Sequence, residues 1–483
     1  MCGFIGVIGV DSAVREVYDG LIAIQHRGQD AAGIITHDGR LHVKKGEGLV
    51  RDIFTAANME RLRGDLAVGH VRYPTVGSGG GEDAQPFCVN FPFGIVMAHN
   101  GNVANYEDLR EELQGQGLRI LYSGCDVEAI LNVFAGALAR SAAQGFSLAA
   151  YHSAVAEVYR QVRGAYSVVG FIAGRGLFAF RDPYGIKPIA LGRKKTSDGR
   201  TAWAVASESV VLTTLEYEVL PWSTPGEALF IDLAGNLSTS TIAEPKPHPC
   251  VFEFVYFARP DSYLEGISVY EARIRMGERL AETVRRSGLE ADVVVPVPDS
   301  ARTAALALAQ VLGIPYREAL VKNRYVGRTF IMPKDGERRR SLRQKLNTIE
   351  EEIRGRSVLL VDDSIVRGNT SRQIVRLARH AGAKQVFFAS TAPPLIHPCV
   401  YGIDMSTRRE FVARGRSAEE VAREIGADAV VYQDLEDLVA AVTERRPDLP
   451  RMCSACFSGE YPTGDITPTM LLQIEEERLT QAS

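Results

Sequence analysis

The 483-residue chain is expected to fold as a layered α+β domain followed by an α/β domain built on a parallel sheet. Three observations predict this. The length exceeds what one hydrophobic core ordinarily organises, so at least two domains are expected. From Gly3 to about Asp232 short β-like runs dominate, among them "FIGVIGV", "LAVGHV", "FGIVMAHN", "AYSVVGFI", "GLFAF", "PIALG" and "AWAVAS". Beyond the stiff, proline-rich "EPKPHP" (Glu244 to Pro249), helix-spaced and continuously apolar runs alternate, the pattern of buried parallel strands with helices on both faces.

Within the first half, helical spacing is read around Ala13 to His26 and from Glu107 to Ala143. In the second half, helices are predicted over Val269 to Arg286, Ala301 to Leu312 and Thr370 to Ala381, with strands at "DVVVPVP" and "SVLLVDD". The expected boundaries are 2–232 for the first domain, 233–249 for a linker, 250–444 for the second domain and 445–483 for a tail.

Composition is that of an ordinary globular protein, 46% hydrophobic and 24% charged, and a net charge of -4 gives no general attraction to nucleic acid or an anionic membrane. No apolar run approaches the ~18 residues of a spanning helix, and "CGFIGVIGV" is short and lacks a preceding basic region, so a cytoplasmic location is expected. Seven cysteines in that setting are poor grounds for disulfides.

The chemistry begins at "MCGFIG". Removal of Met1 would leave Cys2 with both a thiol and a free α-amine, whose reference pKa near ~8 lets it take the thiol proton. A small apolar residue opening a strand is the plain alternative. Polar segments follow: "HRGQD" (His26 to Asp30), "HVRYPT" (His70 to Thr75), "AHNGN" (Ala98 to Asn102) and "GCDVE" (Gly124 to Glu128). Asn100 and Gly101 offer an amide and a close backbone N–H to an oxyanion, Arg72 a fork for a carboxylate, and Asp126 a partner for an ammonium. Singly, each has a bland reading as a turn or a solvated charge.

Taken with Cys2 and in this order, the segments resemble the glutamine-hydrolysing domain of the N-terminal-nucleophile (Ntn) amidotransferases, a four-layer αββα sandwich. The resemblance implies that Cys2 attacks the glutamine amide and that Asn100 and Gly101 form the oxyanion hole. It further implies that Arg72 and Asp126 clamp the glutamine α-carboxylate and α-amine, with Arg27 and Gly28 beside the nucleophile as part of the glutamine site. Cys125-Asp126-Val127 stands where many relatives carry Ser-Asp-Ser or Ser-Asp-Thr.

In the second half, "SVLLVDDSIVRGNTSRQIVRLARHAGA" joins a buried strand, two aspartates, a small polar loop and an amphipathic helix. A loop of Ser364 to Ser371 feeding a helix N-terminus presents N–H groups to a phosphate, and Asp362 and Asp363 suit ribose hydroxyls or a hydrated magnesium ion. It lacks the Walker pattern. This stretch resembles the phosphoribosyl pyrophosphate (PRPP) signature of type I phosphoribosyltransferases. That likeness implies a sugar-phosphate and magnesium site made of Asp362, Asp363, Ser364, Arg367, Gly368, Asn369 and Thr370, with Asn369 where the family usually has Thr. "VVVPVPDSART" is similar to the pyrophosphate loop and adds Ser300, including as a magnesium ligand. "VKNRYVGRTFIMP" and the basic run after it look like a flap over the bound sugar, with Lys322, Arg324, Tyr325 and Arg328. A nucleic-acid patch is the competing reading of that run, weakened by the overall charge.

Four cysteines, Cys250, Cys399 and the Cys453/Cys456 C-x-x-C pair, can hold zinc or an iron-sulfur cluster, and residue type alone leaves both open. Both halves and the tail "CSACFSGEYPT" resemble the iron-sulfur kind of glutamine phosphoribosylpyrophosphate amidotransferases. The resemblance implies glutamine and PRPP as substrates, Mg2+ and a 4Fe-4S cluster as cofactors, ammonia passed between two sites, feedback by purine nucleotides and a homotetramer. It gives no role to nucleic acid or a membrane. Two rivals are an Ntn amidotransferase with an isomerase or synthetase second half, and a non-catalytic nucleotide-binding regulator.

Overall fold

The computed structural model describes all residues except 1, 74–80, 116–118, 223, 324–345, 404–407, 450 and 482–483. The first half is a sandwich of two antiparallel sheets. In the seven-stranded sheet, Gly3–Ile8 lies centrally between Thr201–Ala206 and Leu66–Arg72. In the six-stranded sheet, Ile95–Val103 pairs with Gly164–Ile172, which pairs with Gly176–Arg181.

The period of two along each strand builds the layers. Phe4 and Ile8 join Val96, Ala98, Val169 and Phe171 in the core between the sheets. Ile5 and Val7 face the opposite way, onto the Ala13–Ala23 helix through Val17 and Leu21. On the far side, Met97, Val168 and Ile172 pack beneath helices Asp126–Ser141 and Leu148–Gln161. The order is helix, sheet, sheet, helix, the expected αββα sandwich.

The stretch from Glu107 to Ala143 divides into helices Tyr106–Gly115 and Asp126–Ser141. A further helix, Leu148–Gln161, lies outside both expected helical stretches, although Ala150, Tyr151, Ala154, Val155 and Val158 carry its apolar face and Ser147 caps it through the Ala150 N–H. The segment 233–249 is not wholly a linker. Leu237–Thr241 forms a hairpin edge strand on Glu227–Asp232, because Asp232 accepts from Ala234 and Asn236 N–H and closes the turn.

In the second half four parallel strands run in the order Val293–Pro296, Ser357–Asp362, Gln385–Ser390, Ala429–Tyr432. Their alternate residues face helices Val269–Arg286 and Arg302–Leu312 on one side, and Asn369–His380 and Ala418–Ile425 on the other. Burial on both faces explains why these strands are continuously apolar. Leu320–Lys322 and Leu346–Thr348 pair as a short antiparallel ribbon on either side of residues 324–345. Arg324, Tyr325 and Arg328 therefore lie outside the described residues, and Lys322 alone of the expected flap residues is placed. Among the described residues no helix is long and apolar enough to cross a membrane.

Candidate active sites

Cys2 opens the central strand at the end of the sandwich and is 7% exposed. Three of its atoms are held. Its N donates to Asn100 Oδ1 at 3.2 Å, its carbonyl accepts from Arg27 Nε at 2.9 Å, and its Sγ lies 3.6 Å from the Tyr73 carbonyl. Asn100 is fully buried on Ile95–Val103, and among the described residues its Nδ2 has no partner. A buried donor left unsatisfied is able to receive an oxyanion. Gly101 is forced by packing: a Cβ there would stand 1.9 Å from the Ala165 carbonyl oxygen. The second half closes on the same spot, since a Cβ on Gly402 would meet the Gly101 oxygen at 2.4 Å and Asn102 Nδ2 donates to the Val400 carbonyl at 3.0 Å.

Arg72 and Asp126 converge on this end of the sandwich, both buried and electrostatically coupled. Arg72 Nη2 donates to Asp83 at 3.2 Å, and Asp83 also accepts from the Gly124 N–H, which locks the loop leading to Asp126. Burial works to raise the Asp126 carboxyl, but His99, the Val103 N–H at 2.9 Å and Arg72 outweigh it and hold the group below its ordinary value. His99 Nε2 lies 3.4 Å from Asp126 Oδ2. These contacts orient Asp126 between Cys125 and Val127, neither of which carries a hydroxyl. Cys125 takes Gln85 Nε2 at 3.6 Å on its sulfur, and Val127 packs into the helical layer.

Arg27 lies beside Cys2 with its guanidinium turned onto the protein. Its Nε, Nη1 and Nη2 all donate to the protein, to the Cys2 carbonyl, Glu208 and Glu253. Gly28 serves close approach, because a Cβ would lie 2.6 Å from the backbone carbons of Val71 and Arg72. No motif marks Asp83, Gln85, Glu208 or Glu253, whereas His99 lies within "AHNGN" beside Asn100.

At the carboxyl end of Ser357–Asp362 stand Asp362 and Asp363, both buried. Burial pushes both carboxyls up, and the charge of Asp363 pushes Asp362 further. Ser300 Oγ donates to Asp363 Oδ2 at 2.5 Å and Ser364 Oγ to Oδ1 at 2.6 Å, so the two loops of the expected PRPP site meet at one carboxylate. Gly368, at φ 75°, turns the loop into Asn369–His380. Asn369 and Thr370 are exposed at the helix N-terminus, while Arg367 reaches away to Glu410 at 3.2 Å. Lys322 Nζ lies 3.0 Å from Asp299 Oδ2, beside the Ser300 loop. Buried Arg273 carries positive charge toward Asp363, a contribution with no motif to announce it.

The four cysteines Cys250, Cys399, Cys453 and Cys456 are buried in one apolar cluster, where burial first and the neighbouring thiols second push the Cys250, Cys453 and Cys456 thiols up. Cys250 and Cys453 are joined by a parallel bridge, and the Cys456 carbonyl accepts from the Ile396 and His397 N–H groups. Among the described residues no three His, Cys, Asp or Glu side chains converge closely enough to hold a single metal ion. The tail also has ties of its own: Tyr461 OH donates to the Pro398 carbonyl at 2.7 Å, and Phe457 packs on Phe252 at 6.0 Å between ring centroids.

Comparison with known proteins agrees with this two-site geometry. Residues 75–214 match the glutamine amidotransferase domain and residues 267–394 the phosphoribosyl transferase domain. The chain is 50% identical to amidophosphoribosyltransferase of Pseudomonas aeruginosa, covering 99% of this chain and 96% of that one. It is 48% identical to that of Escherichia coli, covering 96% and 93%. Among solved structures, glutamine PRPP amidotransferase from B. subtilis, complexed with ADP and GMP, superposes with a TM-score of 0.85 at 36% identity over 97% of this chain and 98% of that one. With relatives at this identity spanning nearly all of both chains, and with a thiol site and a paired-aspartate loop in the corresponding halves, the protein belongs to the amidophosphoribosyltransferase family.

Proposed function

We propose that the chain converts glutamine, PRPP and water into 5-phosphoribosylamine, pyrophosphate and glutamate, the first committed step of de novo purine synthesis. The observation that carries the reading is the buried Asn100 Nδ2 beside Cys2, without a partner among the described residues.

At the first site Cys2 Sγ attacks the glutamine side-chain carbonyl, and the Cys2 α-amine takes the thiol proton. Asn100 Nδ2 and the Gly101 N–H receive the oxyanion, while Arg72 and Asp126 hold the substrate's carboxylate and amine. The C–N bond breaks, the amine returns its proton to the leaving nitrogen, and water hydrolyses the thioester to glutamate and free thiol. The amine is available only if Met1, outside the described residues, is removed; mass spectrometry of active protein tests that, and retention of Met1 would overturn the base assignment.

Ammonia then attacks C1 of PRPP as pyrophosphate departs. Asp362 and Asp363 receive the ribose hydroxyls, and the Ser364 to Thr370 turn, including Gly368 and Asn369, receives the 5′-phosphate. Arg367 stands at the loop's outer edge, paired with Glu410, and Lys322 lies beside the Ser300 loop, while the flap role expected of Arg324, Tyr325 and Arg328 falls outside the described residues. Two buried carboxyls, both pushed up by burial and Asp362 also by the charge of Asp363, fit a site that takes up a cation with its substrate. Magnesium suits Asp362, Asp363 and Ser300 because it keeps water and substrate oxygens as ligands, and it would supply charge stabilisation for pyrophosphate.

Four thiols buried in one apolar cluster fit a 4Fe-4S cluster held by Cys250, Cys399, Cys453 and Cys456, since deprotonated thiolates in an apolar pocket call for a strongly cationic partner. Iron and acid-labile sulfide assays on anaerobically purified protein test this; their absence would refute it. A cytoplasmic homotetramer inhibited by purine nucleotides completes the reading, the last supported by the ADP and GMP complex of the B. subtilis relative.

The activity test compares glutamine- and ammonia-dependent synthesis in wild type and Cys2→Ala. The variant should lose the first and keep the second. Retention of glutamine use by Cys2→Ala would refute the role of the thiol.

A further inference from the structure

The Arg27 guanidinium lies at the junction of the two halves and is fully enclosed, 1% exposed, with Glu208 at 0% and Glu253 at 1%. Its Nε donates to the Cys2 carbonyl at 2.9 Å. Its Nη1 and Nη2 fork onto Glu253 at 3.1 and 2.8 Å, and Nη1 also meets Glu208. Glu208 belongs to the first half, where His26 Nε2 contacts it at 2.9 Å, yet its other oxygen accepts from second-half groups, Ser262 Oγ at 2.6 Å and the Arg259 N–H at 3.0 Å. Glu253 opens the π-helical turn Glu253–Phe257 of the second half. Arg273, whose charge reaches Asp363 and Glu208, donates to the carbonyls of Phe254, Tyr256 and Ala258 in and just after that turn. A single turn of chain thus stands between the arginine that grips the nucleophile's backbone and the arginine that faces the sugar-phosphate aspartates.

We propose that Glu253 is a positioning residue for Cys2, acting through Arg27. A guanidinium needs its two forks anchored before its Nε can fix the Cys2 carbonyl, and Glu253 supplies the two-pronged anchor from the other half of the molecule. With the carbonyl fixed, the Cys2 N stays on Asn100 and the Sγ stays at the mouth of the oxyanion donor. Loosening by a fraction of an ångström at such a site costs rate without removing any substrate contact. The inference rests on Cys2 being the nucleophile.

The test is Glu253→Gln, which keeps shape and removes the charge, assayed for both nitrogen sources. Glutamine-dependent kcat should fall about tenfold or more with glutamine KM changed less than about threefold, and ammonia-dependent kcat should stay within about twofold. Glu253→Asp, retaining the charge at shorter reach, should recover part of the loss. Unchanged glutamine-dependent kcat, a rise in KM alone, or a parallel fall in ammonia-dependent synthesis would each overturn the proposal. Should Glu253→Gln not accumulate as folded protein, Glu253→Asp decides: a smaller fall in glutamine-dependent kcat with ammonia-dependent kcat held supports the proposal, and glutamine-dependent kcat equal to wild type overturns it. Cys2→Ala, run alongside, separates the two ideas: if it still uses glutamine, the nucleophile assignment fails, whereas normal Glu253→Gln with inactive Cys2→Ala removes only the positioning role.

Discussion

Replacing Asn100 separates what holds Cys2 from what the reaction needs. In the resting protein its Oδ1 accepts one hydrogen bond from the Cys2 N at 3.2 Å, and its Nδ2 is buried with no acceptor among the described residues. The accepted bond contributes roughly 1 kcal/mol, and the orphaned donor costs roughly 1–3 kcal/mol. Asn100→Ala removes both, so the resting fold should change in stability by no more than about 2 kcal/mol in either direction, the small cavity included. Catalysis responds differently, because the donor finds its acceptor only when the carbonyl oxygen gains charge. Loss of one such donor lowers kcat by about 100- to 1000-fold, or about 2.7–4 kcal/mol. Steady-state kinetics with glutamine should show that loss with KM little altered, and ammonia-dependent synthesis should remain within about twofold of wild type. Asn100→Asp, which keeps an acceptor for the Cys2 N but no donor, should be as impaired with glutamine as Asn100→Ala. A loss under about tenfold, or equal losses with both nitrogen sources, would refute the oxyanion assignment.

Other perturbations give equally direct readings. Asp362→Asn should abolish synthesis from either nitrogen source while raising the melting temperature of ligand-free protein by a few °C, because burial and the Asp363 charge penalise its ionised form; a lower melting temperature would contradict this. Burial opposes ionisation of Glu208, but Arg27, His26 and Ser262 outweigh it and depress the carboxyl. A depressed acid stabilises the fold above its unfolded value, ordinarily 4.5, and loses that contribution as pH falls below it. The stability gap between wild type and Glu208→Gln, followed by urea unfolding, should therefore narrow below that pH, and a constant gap would refute the coupling. Gly101→Ala forces a Cβ to within 1.9 Å of the Ala165 oxygen, so the Ile95–Val103 and Gly164–Ile172 strands must part. The cost should be about 3 kcal/mol in chemical denaturation, with glutamine use lost, and near-neutral behaviour would show that the strands yield freely.

Local pattern made the motifs legible. Cys2, "AHNGN" and "VDDSIVRGNTS" each put a chemical group on a strand end or a helix N-terminus, and their neighbours in the chain already state that setting. The parallel half was readable for the same reason: Val293–Pro296 and Ser357–Asp362 are apolar throughout because helices cover both faces. The Leu148–Gln161 helix escaped because only some of its residues are apolar and its face is defined by the sheet beneath it. The Leu237–Thr241 strand escaped because an edge strand of Ser and Thr has little apolar alternation to display.

By itself the sequence determined the order of the two domains, the nucleophile candidate, the amide beside it and the acidic pair ahead of a phosphate-binding turn. Each follows from residues within a few positions of one another. Only the tertiary structure decided what Arg27 does, since its carboxylate partners stand 181 and 226 residues away. It likewise decided that Gln85 and His99 support Asp126, that Ser300 meets Asp363, and that four scattered thiols share one apolar pocket. The physical reason is that a charge is an ordinary solvated group along the chain, and becomes a partner only when folding removes the water around it and leaves one opposite group in reach.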